Sequence, residues 1–360
     1  PRRVAAAMAA YVQTAATGDQ EELAPPELLW QTRQLAARLL HAEPEEVALV
    51  GPTSLALSCV AGGLALGAGD NVVIYPDDYP ANVYPWMALR ARGVEVRGVQ
   101  PSALGRIEPA DVWARVDEHT RLVALASCHF VAGWRLDYQT LGAALRERGI
   151  AFCIDAIQTL GAYPTTVEAL DFLAADSHKW LLGPCGAGLF YVRRQWQDRL
   201  SPTAWGWHNV RCPDYIAQEQ IVYRSGARRY EPGTPNLVGL VGLRAALELL
   251  LEIGLDAITA ELQRKRAWLV AALQAGGWTV LQADAAPNHA GAIITFFRPG
   301  ADMAVLHRKL ADANIITSLR ADRGGRQYIR LSPHFYNTDQ ELDRLLEKLG
   351  EFGRPLGGGN

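Results

Sequence analysis

Two short stretches of this chain carry side chains that could do chemistry: Phe152-Cys153-Ile154-Asp155-Ala156-Ile157-Gln158 and Asp176-Ser177-His178-Lys179-Trp180-Leu181-Leu182-Gly183-Pro184. Each contains or follows an apolar, strand-like run, and open α/β sheets place their ligand sites at strand ends. A lysine amine is a nucleophile only when deprotonated, and desolvation favours that neutral form, so Lys179 between His178 and Trp180 suits Schiff-base chemistry. A carboxylate such as Asp155 facing a pyridine nitrogen would keep that nitrogen protonated and turn the ring into an electron sink for a carbanion at a substrate α-carbon. Taken singly, both residues have plainer readings: Asp155 as a cap or turn residue after a strand, Lys179 as a solvated surface charge. Their combination with Gln158 is what points to chemistry.

The elements that must position these residues alternate along the chain. Ala48–Val50, Val72–Tyr75, Val94–Val99, Leu122–Ala126, Ala151–Ile154, Phe172–Ala174 and Leu189–Val192 read as strands. Helical patterns lie between several of them, at Leu55–Leu66, Asn82–Arg92 and Tyr138–Arg148. Such alternation predicts an α/β fold with a mostly parallel seven-stranded sheet between helices. After Asn236 the pattern turns α+β. Helices are expected at Leu237–Leu251, Ile258–Leu273, Met303–Ala313 and Asp339–Leu349, with strands at Trp278–Leu281, Ile293–Phe297, Ile315–Ser318 and Gln327–Leu331. The expected organisation is an N-terminal helix or arm at residues 1–24, a large domain at 25–236 and a small C-terminal domain at 237–360. Only the closing Gly357-Gly358-Gly359 tract is low in complexity.

Composition narrows the partners. With 360 residues, 49% hydrophobic, 20% charged and a formal net charge of -3, the chain has no basic footprint for nucleic acid or anionic membrane. The alanine-rich start is broken by Arg2, Arg3 and Gln13, so no signal peptide or membrane span is expected. Five scattered cysteines without a CxxC pair fit a reducing, cytoplasmic compartment. His208 and Cys212 could share a helix face, but Pro213 follows at once and no second pair accompanies them, so no metal is expected. The first residue is Pro1, and the natural chain is expected to begin earlier. The P-loop, HExxH and GxSxG motifs are absent, and Gly62, Gly63, Gly67 and Gly69 lack dinucleotide-site spacing.

Three linked motifs make the reading specific. Asp155-x-x-Gln158, then Ser177-His178-Lys179-Trp180 with Gly183-Pro184, then Tyr230-Glu231-Pro232-Gly233-Thr234-Pro235-Asn236, resemble the class V aminotransferase family. This is the branch of fold-type I pyridoxal-phosphate enzymes that includes the cysteine desulfurases. The resemblance spans Pro25 to Leu349 and implies pyridoxal 5'-phosphate as cofactor, carried as a Schiff base on Lys179. It further implies that Asp155 pairs with the pyridine nitrogen, Gln158 bonds the phenolic oxygen, and Ser177 and His178 hold the phosphate. Thr53 and Ser54 open an apolar helical run, where free N–H groups and hydroxyls make either an anion site or a simple cap. Tyr79 falls where the family puts a ring over the cofactor, with core packing as the other reading, and Phe130 or His129 would line the same cavity. Gly233 and Thr234 match a segment that reaches the phosphate of a neighbouring subunit, which implies a homodimer with shared active sites. Arg330 matches the arginine that grips the substrate α-carboxylate.

The reaction is less legible. Desulfurases carry a thiol on a loop before that arginine, and Thr317–Arg326 here has no cysteine; their histidine over the ring is Tyr79 here. The expectation leans to an aminotransferase acting on a small amino acid or oxo acid. A carbon–sulfur β-lyase or a desulfurase-like enzyme lacking the loop cysteine is the alternative, with amino-acid epimerisation a third. The pocket loops that choose include Trp205–Arg211, with His208 as a candidate substrate-binding residue. A non-enzymatic binding protein is set aside because Asp155, Gln158, His178, Lys179 and Arg330 are all present.

Overall fold

In the computed structural model, which describes residues 1–352, the apolar runs become strands. The Gly357–Gly359 tract lies outside the described residues. Strands β1 (Val47–Val50), β2 (Asn71–Ile74), β3 (Glu95–Gly98), β4 (Thr120–Ala126), β5 (Ala151–Asp155), β6 (Phe172–Asp176) and β7 (Gly188–Val192) form one sheet in the order β1-β7-β6-β5-β4-β2-β3. From β3 through β6 every pairing is parallel, and β7 is antiparallel to both its neighbours. Strands β2, β5, β6 and β7 are buried along their whole length. That is why they read as continuous apolar runs rather than alternating ones. The edge strand β3 instead carries Glu95 and Arg97, ion-paired at 2.8 Å, a charged edge that discourages further strand pairing.

Strand direction decides where a site can form. Because β1 and β6 both oppose β7, β1 runs the same way as β4, β5 and β6. Val50, Ala126, Asp155 and Asp176 therefore close their strands along one edge of the sheet. The helix Thr53–Gly63 starts from that edge and buries Ala56, Leu57, Val60 and Ala61 against the core. The expected helix over Asn82–Arg92 is instead a short α-helix, Tyr84–Met87, between 3-10 turns at Pro80–Asn82 and Ala88–Arg92. Pro80 and Pro85 each occupy a first-turn position and restart the backbone.

Two compact units divide the described chain. The first comprises residues 1–100, 109–127 and 137–255 and holds the large sheet. Within it the helix Leu237–Ile253 packs against Arg2–Ala15 and Leu28–Leu40, and Arg3 pairs with Glu248 and Glu252. The second unit takes residues 101–108, 128–136 and the chain from Asp256 onward. Its strands β8 (Thr279–Val280), β9 (Ile294–Phe297), β10 (Ser318–Ala321) and β11 (Gln327–Leu331) form an antiparallel sheet in the order β10-β11-β9-β8. β10 begins at Ser318 rather than at the expected Ile315, because its register with β11 runs from Ser318 opposite Arg330 to Ala321 opposite Gln327. Ile316, outside that ladder, is 87% exposed. Among the described residues no helix is long and apolar enough to cross a membrane.

Trp86 joins this architecture to the site edge. It is fully buried, and its Nε1–H donates to Asn82 Oδ1 at 3.0 Å. Trp86→Ala should cost about 3–5 kcal/mol of stability, read from the midpoint of urea unfolding. A loss near zero would contradict the placement of this ring in the core.

Candidate functional site

Asp155 ends β5 with its side chain buried, and Oδ1 accepts the Ile157 N–H at 3.0 Å. Its backbone carbonyl is held by the Ser127 N–H and Ser127 Oγ, which fixes the strand end from β4. Burial pushes the Asp155 carboxyl up to about 6, while the Ile157 amide and the charge of Lys179 work the other way. The carboxylate thus has its second oxygen left for a cationic partner.

Lys179 lies in the turn after β6, with its Nζ over the Tyr79 ring at 5.3 Å from the centroid. Gly161, at φ +94°, lets this turn seat: a Cβ there would strike the Trp180 carbonyl. Trp180 Nε1–H donates to Gln158 Oε1 at 3.2 Å, which orients the amide and leaves Gln158 Nε2 buried with no hydrogen-bond partner. An orphaned buried donor is costly, so the position calls for an acceptor. A phenolic oxygen would serve.

The anion-holding candidates are less uniform. Thr53 Oγ1 accepts the Asp176 N–H at 2.9 Å and keeps its own hydroxyl hydrogen to donate. Ser54 is exposed beside it, and the helix Thr53–Gly63 has no side-chain cap; the Leu55 N–H closes on the Pro52 carbonyl at 2.8 Å, which leaves the Thr53 and Ser54 N–H groups for an anion. His178 Nδ1 meets Asp176 Oδ2 at 2.5 Å, which turns Nε2 outward. Asp176 also accepts from the Ser177 and Gly186 amides. Ser177 itself is fully buried, and its hydroxyl donates to the Pro184 carbonyl at 2.7 Å, so an anion would compete with that bond. An unpaired donor at Gln158, a buried carboxylate at Asp155 and an amine at Lys179 together fit a phosphorylated pyridine aldehyde.

Other expected residues are placed elsewhere. Gly233 and Thr234 lie on an exposed to half-buried turn, where a Cβ on Gly233 would meet nothing within 4 Å and Thr234 Oγ1 donates to Glu21 at 3.2 Å. His208 is buried with Nδ1 on the Glu231 carbonyl at 3.1 Å, and burial lowers its pKa against the pull of Glu231. Its neighbours are Glu231 and Trp207 rather than Asp155 or Lys179. In the second unit, Arg330 Nη1 donates to the Phe130 carbonyl at 2.8 Å and Nη2 reaches Ser318 Oγ at 3.4 Å. Phe130 is half-buried, whereas His129 is buried with Nδ1 accepting the Ala132 N–H at 3.0 Å.

Sequence reasoning passed over Asp78. Its carboxylate accepts the Tyr79 N–H at 2.7 Å and Asn82 Nδ2–H at 3.1 Å, so it clamps the residue whose ring covers Lys179. Burial, and then the charge of Asp155, push it up to about 7. The available signal was the doubled acid Asp77-Asp78 directly before Tyr79. Asp176 and Trp180, both within the lysine motif, support His178 and Gln158 respectively.

Comparisons with known proteins bear on the family and the fold. The model of the family described as Aminotransferase class-V matches residues 1–345. A protein named probable cysteine desulfurase from Methanothermobacter thermautotrophicus is 29% identical over 340 residues, covering 90% of this chain and 83% of its own. Isopenicillin N epimerase of Streptomyces clavuligerus is likewise 29% identical over 339 residues, covering 90% and 84%. The apo structure of cysteine desulfurase from Thermococcus onnurineus NA1 superimposes with a TM-score of 0.89 at 23% identity, covering 98% of this chain and 91% of that one.

Two outcomes follow from the geometry. Lys179→Ala should remove the absorbance band of covalently held cofactor while leaving the circular dichroism unchanged, and a retained band would overturn the assignment. Asp78, raised in the fold from 3.8 to about 7, keeps its proton where the unfolded chain has lost it. Stability is therefore fully present at low pH and falls as pH rises from roughly 4 to 7. Thermal unfolding of the cofactor-free protein should show that decline, and Asp78→Asn should flatten it; an equal slope in both proteins would contradict the buried acid.

Proposed function

The chain belongs to the aminotransferase class-V family, and on that premise we propose that it is a carbon–sulfur β-lyase acting on a small cysteine-type amino acid. Its cofactor is pyridoxal phosphate, which when bound supplies an electron sink for negative charge at the substrate α-carbon. Asp155, Gln158, Lys179, His178, Thr53 and Tyr79 are the residues that would hold it. Lys179 Nζ is the chain's own base for the α-proton. Tyr79 covers one side of that amine, and Asp78 fixes Tyr79. Arg330 would orient the substrate carboxylate.

The observation that carries the reading is the hairpin between β10 and β11. Asp322 Oδ1 accepts the Arg326 N–H at 2.9 Å, Oδ2 accepts the Tyr328 hydroxyl at 2.6 Å, and the Gly325 N–H closes on the Asp322 carbonyl. Burial and Asp322 push the Tyr328 hydroxyl up to about 12, so it stays a donor. The stretch Thr317–Arg326, where the family resemblance implies the acceptor thiol of a desulfurase, has no cysteine and closes as a tight turn. Sulfur therefore leaves with the electron pair of its bond to the β-carbon and is not passed to this chain. With L-cysteine and water the products are sulfide, pyruvate and ammonia. The same residues could serve transamination, the expectation from sequence, but the name of a relative 29% identical over 90% of the chain turns the proposal toward sulfur. A homodimer with shared sites, in which Gly233 and Thr234 reach the partner's phosphate, is part of the proposal and is supported by the open face of that turn.

Purified holoenzyme given L-cysteine should release sulfide and pyruvate in equal amounts and keep its cofactor spectrum. Accumulation of pyridoxamine phosphate would assign transamination instead, and inversion of the α-carbon with intact substrate would assign epimerisation, the activity named for the Streptomyces relative.

A further inference from the structure

A cavity in the first unit, about 620 Å³, has apolar walls that include Leu28, Trp30 and Trp207, with Arg33, His208 and Arg228 on its lining. It borders Val47, the first residue of β1, whereas Thr53 follows the end of that strand. Since β1, β5 and β6 run the same way, this cavity adjoins the opposite end of the sheet from Asp155 and Lys179.

Its charge is out of balance. Glu231 accepts from Arg33 Nη2 at 2.6 and 2.5 Å and from the Leu49 N–H at 2.8 Å, so its oxygens are already engaged. Arg228 has no ion pair among the described residues, and its Nε is buried without a hydrogen-bond partner, as are those of Arg33 and Arg224. Burial lowers the Arg228 pKa, the charges of Arg33 and Arg224 lower it further, and Glu231 offsets only part of this. Among the buried charges that act on Arg228, the guanidiniums of Arg33 and Arg224 thus oppose the single carboxylate of Glu231. Glu21, Glu27 and Glu45 also line the cavity, but they are exposed, and Glu21 accepts from Thr234. His208 adds no positive charge, because burial favours its neutral form.

We propose that this cavity binds a small organic carboxylate, with the anion on Arg228 and an apolar body against Trp30 and Trp207. One planar guanidinium fork left without a partner matches one carboxylate, while the apolar walls disfavour a fully hydrated phosphate. The volume is that of a small-molecule site, for which the usual range is about 300–1,000 Å³. The proposal does not rest on the carbon–sulfur reading.

The test is calorimetric titration of the holoenzyme with phenylacetate. Saturable binding of one molecule per chain is expected, with the cofactor absorbance unmoved and no binding of 2-phenylethanol, which has the same body without the charge. Arg228→Ala and Arg228→Gln should each weaken binding at least about tenfold, and Arg228→Lys less. Arg330→Ala should leave it intact. The glutamine variant keeps the side chain's length and covers a failure of the alanine variant to fold. Absence of saturable binding, equal affinity in the Arg228→Gln protein, loss of binding in Arg330→Ala, or tighter binding of inorganic phosphate than of phenylacetate would each overturn the proposal.

Discussion

In the proposed site Asp155 would be an anion at a place where the sheet leaves almost no water. It is 4% exposed, and burial raises its carboxyl to about 6, so the charge persists only with help. That help comes from the Ile157 amide and from Lys179 across the strand ends. These two groups offset part of the desolvation cost but not all of it, which is why the carboxyl stays above its usual range. The neighbouring groups serve the same constraint: Ser127 pins the Asp155 carbonyl, Trp180 orients Gln158, and Asp78 clamps the residue whose ring covers the lysine. Asp78 can sit this close because burial and Asp155 together favour its protonated form near neutrality.

Rigidity is distributed to match. Asp155 and Asp176 end paired strands and Thr53 opens a helix, whereas Gln158, His178 and Lys179 sit in the turns that follow β5 and β6, held there by side-chain hydrogen bonds such as Trp180 to Gln158 and His178 to Asp176. In the second unit, Arg330 lies on a paired strand and is steadied by the Phe130 carbonyl and Ser318. The hairpin beside it is closed by Asp322 on both oxygens.

Glu231 shows how a motif residue can be structural. It engages Arg33 on the helix Leu28–Leu40 and the Leu49 N–H on β1, and thereby ties that helix and strand to the turn that carries Gly233 and Thr234. Breaking such a buried pair from one side typically costs about 3–5 kcal/mol, because the remaining charge is stranded. The same commitment of Glu231 leaves Arg228 uncompensated.

By itself the sequence determined the α/β class, the strands and the cofactor, because these depend on local apolar runs and on residues adjacent in the chain. Asp155 and Gln158, or His178 and Lys179, are close in space whatever the rest does. The tertiary structure decided what depends on distant partners. Asp78 becomes a site residue only when β2 and β5 bring it beside Asp155, with β4 between them. Ser177 turns to Pro184, and β10 starts at Ser318 because Arg330 stands opposite it. The helix Leu28–Leu40 is harder to read because Pro25 and Pro26 precede it and its otherwise apolar buried face is interrupted by Thr32 and Arg33. Apolar periodicity does not reveal a helix held partly by an ion pair to Glu231, 198 residues away.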